Sequence, residues 1–404
     1  MLIVKKFGGS SVADHEKARN AAEIITAEYQ KGSHVVAVVS AQGDTTDELI
    51  EKAKALNPRA SQREMDTLLA CGEQISAALL AMTIEGMGFP VISLTGWQAG
   101  MHTDSNHSAA RIQKIDAERV QTELNRRNIV IIAGFQGVNR FGDVTTIGRG
   151  GSDTTAVAFA AALRADLCQI YTDVDGVYSA DPRLVRDAVK LDAITFDEML
   201  ELASLGANVL HNRAVEMAKK FSVPLEVMSS FTQAPGTKVL EVVKMEKTQI
   251  SGVARDNNVA RFALVGLSDE PGVAYRIFSL LARHKINVDI ILQSIGRGNT
   301  KDISFTVPKD SMGETEKVLM EHKDTLLFDS LAISDSISKI SIVGSGMVNN
   351  PGIASMMFEA LFNAGINIQM ISTSEIKVSV LIDANDAARA VQAVHAQFFG
   401  HAGA

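Results

Sequence analysis

The stretch Lys6-Phe-Gly-Gly-Ser-Ser11 combines residue types that suit phosphate binding. It lies between a predicted strand, Leu2–Phe7, and a predicted helix over 12–30. Glycine lets the backbone approach a ligand closely, a helix N-terminus offers free N–H groups, and lysine supplies a point charge. A tight β–α turn with a solvated lysine has the same sequence, so this stretch alone leaves both interpretations open.

A second glycine-rich stretch, Gly148-Arg-Gly-Gly-Ser-Asp-Thr-Thr155, precedes an alanine-rich helix predicted over 156–165. Ser152 or Asp153 is placed to cap that helix. Arg149 is harder to explain, because a cation near a helix N-terminus is unfavourable unless an anion lies between them. A guanidinium group suits a bidentate contact with a carboxylate. The stretch therefore indicates a carboxylate-binding turn.

The third stretch covers 172–183 and follows the predicted strand Leu167–Thr172. Parallel sheets bind their ligands at the carboxyl ends of strands. Asp173 and Asp175 could hold Mg²⁺ directly or through water. An Asp-Gly turn with exposed acids is the alternative, and for Asp175 alone we favour it.

Glu73 lies in a long predicted helix, directly after a glycine. Gly72 costs the helix about 1 kcal/mol relative to alanine, which indicates a close contact with a ligand or another segment. Glu73 could then bind an ammonium group. An ordinary exposed helical glutamate is the other interpretation.

The elements that position these residues alternate between strand and helix over about 1–240. The predicted strands are Leu2–Phe7, His34–Val39, 90–94, Ile129–Ala133 and Leu167–Thr172. Capping boxes at Ser61–Glu64 and Thr195–Glu198 mark two helix starts. Short apolar strands between helices predict an α/β fold, with a mainly parallel sheet that is covered on both faces.

An internal repeat follows residue 245. A shift of 80 residues superimposes Pro271-Gly272 on Pro351-Gly352, Ile286-Asn287 on Ile366-Asn367, and Ser294 on Ser374. Each copy predicts a Pro-Gly loop, an amphipathic helix, a strand that starts at Ile-Asn, and an alternating strand. We therefore expect two small α+β modules.

The composition narrows the class of protein. The chain has 404 residues, a net charge of −8, two cysteines and a pI of about 5.7. The acidic balance argues against a nucleic-acid binder, and we see neither a signal peptide nor an apolar run near the ~18 residues of a membrane span. Unclustered cysteines fit a reducing compartment, so we expect a cytoplasmic protein with no nucleic-acid or membrane partner. The chain also lacks GxxxxGK[ST], GxGxxG and HExxH motifs.

Taken in order, the motifs resemble those of the aspartate kinases, members of the amino-acid kinase family with two C-terminal ACT domains. The matching stretches are 6–11, 38–47, 72–74, 103–105, 134–137, 146–155, 172–183 and, in the second repeat, 371–376. The resemblance implies a three-layer parallel-sheet kinase domain over 1–244 and a first ferredoxin-like ACT domain over 260–337. The second ACT domain would comprise 245–259 and 338–404, because relatives insert the first module into the second.

The resemblance also implies the reaction ATP + L-aspartate → ADP + 4-phospho-L-aspartate, the first step of lysine, threonine and methionine synthesis. Mg²⁺ would accompany the nucleotide, without a separate protein metal site. The implied catalytic residues are Lys6, Arg149 and Asp153. The implied aspartate-binding residues are Ser40, Thr46, Glu73, Arg149, Gly150, Gly151 and Ser152. The implied nucleotide-binding residues are Lys6, Phe7, Gly8, Gly9, Thr172, Asp173, Tyr178, Asp181, Pro182 and Arg183.

The ACT pair implies feedback inhibition by lysine, threonine or both. The implied effector residues are Asp269, Ile286, Asn287, Val288 and Gln293 in the first copy, and Asn367, Ile368, Thr373 and Ser374 in the second. Asn287 and Asn367 could instead cap their helices, which we favour for Asn287. In the alignment of the two copies, Asp269 of the first is matched by Asn349 of the second. Because the copies differ here, we expect one pocket to bind the effector and the other mainly to pack.

The ACT domains also imply a homo-oligomer, and Met245 could start a separate small subunit. Three positions depart from the family pattern. Relatives commonly have lysine in place of Asn208, often proline in place of Asn212, and commonly arginine in place of Met228. Asn208 leads us to expect weakened ATP affinity. Two alternatives stay open: a kinase of another carboxylate, carbamate or nucleoside monophosphate, and an amino-acid-binding regulator whose kinase domain is inactive.

Overall fold

A computed structural model describes residues 1–206, 209–232, 234–242, 250–294, 300–345, 347, 350 and 352–400. The chain forms two compact units. The N-terminal unit comprises 1–178, 190–204 and 208–246, and the C-terminal unit comprises 179–189, 205–207 and 247–404.

The N-terminal unit is built on a mainly parallel sheet. Its strands are β1 (Leu2–Phe7), β2 (His34–Val39), β3 (Val91–Leu94), β4 (Met101–Thr103), β5 (Ile112–Ile115), β6 (Ile129–Ala133), β7 (Gln136–Val138), β8 (Val144–Thr146), β9 (Leu167–Thr172), β10 (Ala193–Thr195), β11 (Leu225–Ser229) and β12 (Thr237–Leu240). Its helices are α1 (His15–Gln30), α2 (Thr45–Leu56), α3 (Gln62–Gly86), α4 (Glu118–Asn125), α5 (Gly151–Leu163), α6 (Phe196–Ser204) and α7 (Asn212–Phe221).

The main sheet has the strand order β10-β12-β11-β9-β1-β2-β6-β3, and only the β11–β12 pair is antiparallel. A smaller sheet has the order β5-β4-β7-β8. Strands β2 and β6 are buried almost throughout, because helices cover both of their faces. The predicted α/β fold with a mainly parallel sheet is confirmed.

Local sequence explains several of the helix starts. Ser61 caps α3 by accepting a hydrogen bond from the Glu64 amide at 3.4 Å. Thr195 and Glu198 bind each other's amides at 3.0 and 3.3 Å, so the second predicted capping box is confirmed in full, whereas the first is confirmed for the Ser61 cap. The predicted start at residue 12 is wrong. A 3₁₀ turn at Gly9–Ser11 intervenes, and α1 begins at His15 behind its cap Asp14.

The start of α5 also differs from the prediction. The helix begins at Gly151 rather than at residue 156, and Gly150 precedes it with a φ of 65° and no capping side chain. Ser152 and Asp153 therefore lie inside the first turn, and the prediction that one of them caps the helix is wrong. This frees the Asp153 carboxylate for a partner elsewhere.

Helix α3 satisfies the length and composition of a membrane-crossing helix, with a mean hydropathy of 1.5 over 18 residues. The expectation that no segment approaches this length is therefore corrected. Its inner face carries polar as well as apolar residues, among them the buried Asp66, Glu73 and Ser76. The helix packs against α1, β3 and β6, which is typical of a core helix.

The C-terminal unit contains two antiparallel sheets. Its strands are β13 (Gly252–Asp256), β14 (Ala260–Ser268), β15 (Ile291–Gln293), β16 (Thr300–Val307), β17 (Ser330–Ser334), β18 (Ile337–Val343), β19 (Met370–Thr373) and β20 (Lys377–Asp383). Its helices are α8 (Val273–Arg283), α9 (Met312–Glu321), α10 (Lys323–Leu326), α11 (Ile353–Asn363) and α12 (Ala387–Phe399). The sheet orders are β15-β16-β14-β17 and β13-β18-β20-β19.

Strand β13 precedes the first of these modules in the chain but belongs to the sheet of the second. It pairs with β18, from Gly252 opposite Val343 to Asp256 opposite Lys339. Residues 179–189 also belong to this unit, where Ala180 is buried in the core with α11 and α12. The sequence did not predict that second contribution.

The strands predicted to start at Ile286 and Ile366 begin later, at Ile291 and Met370. Helix α8 ends at Arg283, with His284 as its cap, and Asn287 lies beyond both. The favoured interpretation of Asn287 as a helix cap is therefore wrong. Asn367 also lies beyond the cap of α11, Ala364.

Candidate active site

Four of the motifs meet at one edge of the main sheet. Strands β9, β1, β2 and β6 are adjacent and parallel, so their carboxyl ends lie side by side. These ends carry Thr172, Lys6 and Phe7, Ser40, and Gly134. The edge is where a parallel sheet binds its ligands.

Lys6 reaches from β1 to the first turn of α5. Its Nζ lies 2.7 Å from Asp153 Oδ1, and both side chains are largely buried. Helix α5 packs against β1, β2 and β9, which fixes Asp153 above the sheet edge. The structure thus brings together two of the three implied catalytic residues.

The turn that follows Lys6 is closely packed. The Gly8 amide donates to the Tyr171 carbonyl at 3.2 Å, and the Gly43 amide donates to the Gly9 carbonyl at 3.1 Å. A Cβ on Gly9 would lie 2.8 Å from the Ala41 carbonyl oxygen. Glycine at position 9 therefore lets this turn contact the loop after β2.

Phe7 differs from its implied role. Its side chain is fully buried, stacks on Tyr171 with ring centroids 4.8 Å apart, and belongs to the core that α1 and α3 cover. Its carbonyl accepts a hydrogen bond from the Ser40 amide at 3.1 Å. Phe7 is a packing residue that joins β1 to the loop after β2.

Glu73 is buried at the same edge. Its Oε1 accepts a hydrogen bond from the Ala41 amide at 3.1 Å, whereas its buried Oε2 has no hydrogen-bond partner among the described residues. Burial raises the pKa of Glu73 to about 7, although the Ala41 amide opposes the shift. A buried carboxylate with one free oxygen is suited to a cationic ligand.

Gly72 explains how α3 comes so close to this loop. A Cβ there would lie 2.8 Å from the Ala41 Cβ, so the segment contact that the sequence predicted as one possibility is present. Ser40 and Thr46 are half-buried on either side of the loop, with Thr46 in the first turn of α2.

Arg149 lies in the turn before α5 and is exposed. No ion pair joins it to any residue in the described part of the chain. The neighbouring Gly150 packs against the His211 ring, which a Cβ would overlap at 2.1 Å. Ser152 is buried, and its Oγ would lie 2.8 Å from a Cβ on Gly134. The turn is held tightly while its guanidinium group stays free.

Phe135 belongs to the site but was not singled out from the sequence. It has a φ of 68°, unusual for an aromatic residue, and its ring would lie 2.7 Å from a Cβ on Gly151. The Thr155 hydroxyl accepts a hydrogen bond from its amide at 3.0 Å. Only its place in the motif Gly134-Phe-Gln-Gly137 could have indicated it.

The acidic turn after β9 divides into two parts. Thr172 donates to Asp173 at 3.0 Å, and Asp173 is exposed. Asp175 instead binds the Tyr178 hydroxyl at 2.7 Å and the Lys190 ammonium at 3.1 Å. Partial burial alone would raise the pKa of Asp175, but the contacts with Tyr178 and Lys190 outweigh it and lower the pKa below its ordinary value. Asp175 holds the turn together, but it is half-buried and paired, so the favoured interpretation as an exposed acid is wrong.

The remaining implied nucleotide residues lie in the C-terminal unit. Asp181 pairs with Arg183 at 2.9 Å, and Pro182 between them is exposed. Among the residues that depart from the family pattern, Asn212 starts α7 and donates to Ser204 at 2.8 Å. Met228 lies in β11, half-buried against the main core. Asn208 is outside the described residues, so its predicted effect on ATP affinity stays a prediction.

The implied effector residues have mixed environments. Ile286 is buried in the first module, and Val288 packs against the same core. Asp269 already pairs with Lys301 at 3.1 Å. The side chains of Asn287, Gln293, Asn367, Thr373 and Ser374 are exposed, and Ile368 is half-buried. Asn349 and Met245 lie outside the described residues.

Family models match in two parts of the chain. The amino acid kinase family matches residues 1–229, and the ACT domain matches residues 262–322 and 340–398. Aspartokinase 2 of Bacillus subtilis is 50% identical over 398 residues, which cover 98% of this chain and 97% of that protein. The aspartokinase of Corynebacterium glutamicum is 47% identical over 403 residues, which cover 98% of this chain and 96% of that protein.

A solved structure agrees with these sequence matches. Aspartokinase III of Escherichia coli, in complex with aspartate and ADP, superimposes with a TM-score of 0.83 at 26% identity, covering 99% of this chain and 100% of that chain. The same enzyme in complex with lysine and aspartate gives a TM-score of 0.77. This chain belongs to the aspartokinases, the members of the amino acid kinase family that carry C-terminal ACT domains.

Proposed function

We propose that this aspartokinase transfers the γ-phosphoryl group of ATP to the side-chain carboxylate of L-aspartate, and that Lys6 stabilises the group in transfer. A carboxylate oxygen attacks the γ-phosphorus, the bond to the β,γ-bridging oxygen breaks, and ADP leaves. A carboxylate with a pKa of about 4 is already ionised at neutral pH, so the reaction needs no general base. The 2.7 Å contact of Lys6 with Asp153 supports a fixed cation at the sheet edge.

One observation carries the substrate assignment: the buried Oε2 of Glu73 has no hydrogen-bond partner among the described residues. We assign it to the substrate ammonium group. Arg149, free of ion pairs in the described chain, would bind the α-carboxylate, and Ser40, Thr46 and 150–152 would line the same pocket. Opposite charges for the two ends of a zwitterion favour an amino acid over a simple dicarboxylate.

The nucleotide is assigned to the turn at Gly8 and Gly9 and to Thr172, Asp173 and Tyr178, which belong to the same unit. The glycine backbone and Lys6 would contact its phosphates. Mg²⁺ would arrive on those phosphates, where it neutralises charge and aligns the reacting groups. The described residues contain no group of three or more His, Cys, Asp or Glu side chains that could hold a metal.

A coupled assay with trapping tests the activity and its acceptor. Purified chain, ATP and L-aspartate should give ADP and an acyl phosphate that hydroxylamine converts to a hydroxamate. L-glutamate should give little of either product, and Glu73→Gln should raise the KM for aspartate. ADP release with glutamate or a nucleoside monophosphate, but not with aspartate, would favour another kinase of this family.

We also propose feedback control through the ACT modules, with lysine, threonine or both as effectors at the residues named above, and the domain limits given in the sequence analysis. The pairing of β13 with β18 supports the assignment of 245–259 to the second module. Titrating kinase activity with lysine and threonine, singly and mixed, identifies the effector. A chain that binds either amino acid but makes no aspartyl phosphate would be a regulator.

The chain is further proposed to assemble with copies of itself through the ACT modules. Strands β15 and β19 are sheet edges, and their exposed Ile291, Leu292 and Ile371 support such pairing. Sedimentation of the wild-type chain and of Ile371→Lys tests this assembly. We expect the variant to form a smaller assembly than the wild type. The free thiols of Cys71 and Cys168 support a cytoplasmic location. We also propose that Met245 could start a separate small subunit, which would appear as a second, smaller band on a gel of protein from the native host.

A further inference from the structure

A carboxylate outside the assigned site organises the segments that lead to Arg149. Asp66 lies on α3, two turns before Glu73, and is fully buried. It accepts hydrogen bonds from the Thr146 amide at 3.0 Å and the Thr146 hydroxyl at 2.7 Å. It also binds the Ser108 amide at 3.0 Å and His107 Nδ1 at 2.9 Å. One buried side chain thus joins three segments of the N-terminal unit.

A second side chain holds the same segments through their carbonyls. Arg213, on α7, donates to the Ile147 carbonyl at 2.8 Å and to the Ala110 carbonyl at 2.9 Å. The Ala110 amide in turn donates to the Thr146 carbonyl at 3.0 Å. Residues 146 and 147, which directly precede the turn of Arg149, are therefore bound by Asp66 and by Arg213.

The turn itself has no comparable support from its own side chains. Gly148 and Gly150 have φ values of 82° and 65°, which glycine adopts without cost, and Arg149 between them is exposed. The guanidinium group therefore takes its position from the backbone at 146–147 and from the start of α5. Asp66 is fully buried and Arg213 is half-buried. Hydrogen bonds that involve a charged group are stronger than neutral ones, so these contacts hold residues 146 and 147 in place.

We propose that Asp66 and Arg213 are positioning residues that set the place of Arg149 and, through it, the recognition of the substrate α-carboxylate. This inference rests on the proposed role of Arg149. Neither residue touches the reacting atoms in this assignment. A misplacement of about 1 Å can cost about a hundredfold in rate, so loss of the frame should weaken use of aspartate strongly.

The test compares L-aspartate with L-isoasparagine, in which the α-carboxylate is an amide. The ratio of their kcat/KM values measures recognition of the α-carboxylate. In Arg213→Gln, Thr146→Val and Asp66→Ala we expect this ratio to fall about tenfold or more, with the KM for ATP within about twofold of wild type. Arg213→Lys, which can still reach one carbonyl, should recover part of it.

Glu123→Gln is the matched control. Glu123 is buried like Asp66 and Thr146, but its partners are Arg119, Arg126 and Asn128. In Glu123→Gln the ratio of kcat/KM for L-aspartate to that for L-isoasparagine should stay at the wild-type value. Thr146→Val removes one hydroxyl in an isosteric change and keeps the test valid if Asp66→Ala does not fold.

Two results overturn the inference, and they differ. An equal loss of activity with both substrates in the three variants means that Asp66 and Arg213 serve only to stabilise the fold. An unchanged ratio in Arg149→Gln means that Arg149 does not bind the α-carboxylate, and the proposed function is then at fault.

Discussion

Lys6 and Asp153 form an ion pair in which Nζ lies 2.7 Å from Oδ1, with 11% and 13% of the side chains exposed. One comes from the end of β1 and the other from the first turn of α5. Because both are mostly shielded from water, their attraction is stronger than that of a surface pair. Asp153 therefore holds Lys6 over the sheet edge before any phosphate is bound.

Removing this cation should slow the chemical step. In Lys6→Met we expect kcat to fall about 10²- to 10³-fold, since a preorganised charge is lost. In Asp153→Asn, which keeps the lysine but loosens it, we expect about a tenfold fall, or about 1.4 kcal/mol in the barrier. Steady-state rates at saturating ATP and aspartate measure both. Lys31→Met, an exposed change at the far end of α1, should leave kcat at the wild-type value.

The raised pKa of Glu73 should make aspartate binding depend on pH. Burial raises this pKa to about 7, so in the free protein the group is about half protonated there. Only the carboxylate attracts an ammonium group. The KM for aspartate should therefore fall as the pH rises through 7, and it should be high and independent of this ionisation in Glu73→Gln. An unchanged pH profile in the variant would contradict the assignment.

The same group should affect stability in the opposite direction. The pKa of Glu73 is higher in the folded protein, about 7, than its ordinary value of 4.5, so the folded state binds more protons between these values. Stability should then decrease as the pH rises from 4.5 to 7, by an amount on the order of 3 kcal/mol at most. Urea unfolding without substrate measures this. Glu73→Gln should lack this decrease and be the more stable protein above pH 7.

Lys5 points away from Lys6 and gives a contrasting pH dependence. Its side chain is buried and donates to Gln169 at 2.5 Å and to the Tyr171 hydroxyl at 3.2 Å. Burial lowers the pKa of Lys5 to about 8 from 10.5. Between these values the unfolded chain binds more protons, so this group raises stability as the pH increases. The difference between wild type and Lys5→Met in urea unfolding should show that rise.

Gly72 should be needed for activity although it weakens its helix. Its Cβ would lie 2.8 Å from the Ala41 Cβ, so Gly72→Ala should displace the loop that carries Ser40 and lower kcat/KM for aspartate at least tenfold. Gly86→Ala, at the end of the same helix with no atom within 4 Å of the new Cβ, is the control. That change should stabilise the protein by up to about 1 kcal/mol and leave the kinetics unaltered.

The central strands were predictable because they are short apolar runs with clear ends. β1, β2, β6 and β9 have the predicted bounds. The start of α5 was not predictable in the same way, because Gly150 and Gly151 are poor helix formers in isolation. Tertiary packing decides it: a Cβ on Gly151 would lie 2.7 Å from the Phe135 ring.

The site was predictable only where a motif carried it. Lys6, Glu73 and Arg149 stand out by residue type beside glycines, but no spacing indicated that Lys6 meets Asp153. Asp66 left one weak signal, its position seven residues before Glu73 on the same face of α3. Arg213 left none, since its carbonyl partners belong to other segments.

The backbone connects the first ACT module to the second at two points, and Ile290 of the first module, with Val259 of one link, also packs against Ile337, Met370 and Leu381 of the second. Residues 257–259 link β13 to β14, and residues 335–336 link β17 to β18. Strands β13 and β18 are themselves neighbours in one sheet. With two covalent links to the second module, the first module has fewer degrees of freedom than a domain on one linker. Because both links leave from the paired strands β13 and β18, rotation of the first module would apply torsion to the second sheet.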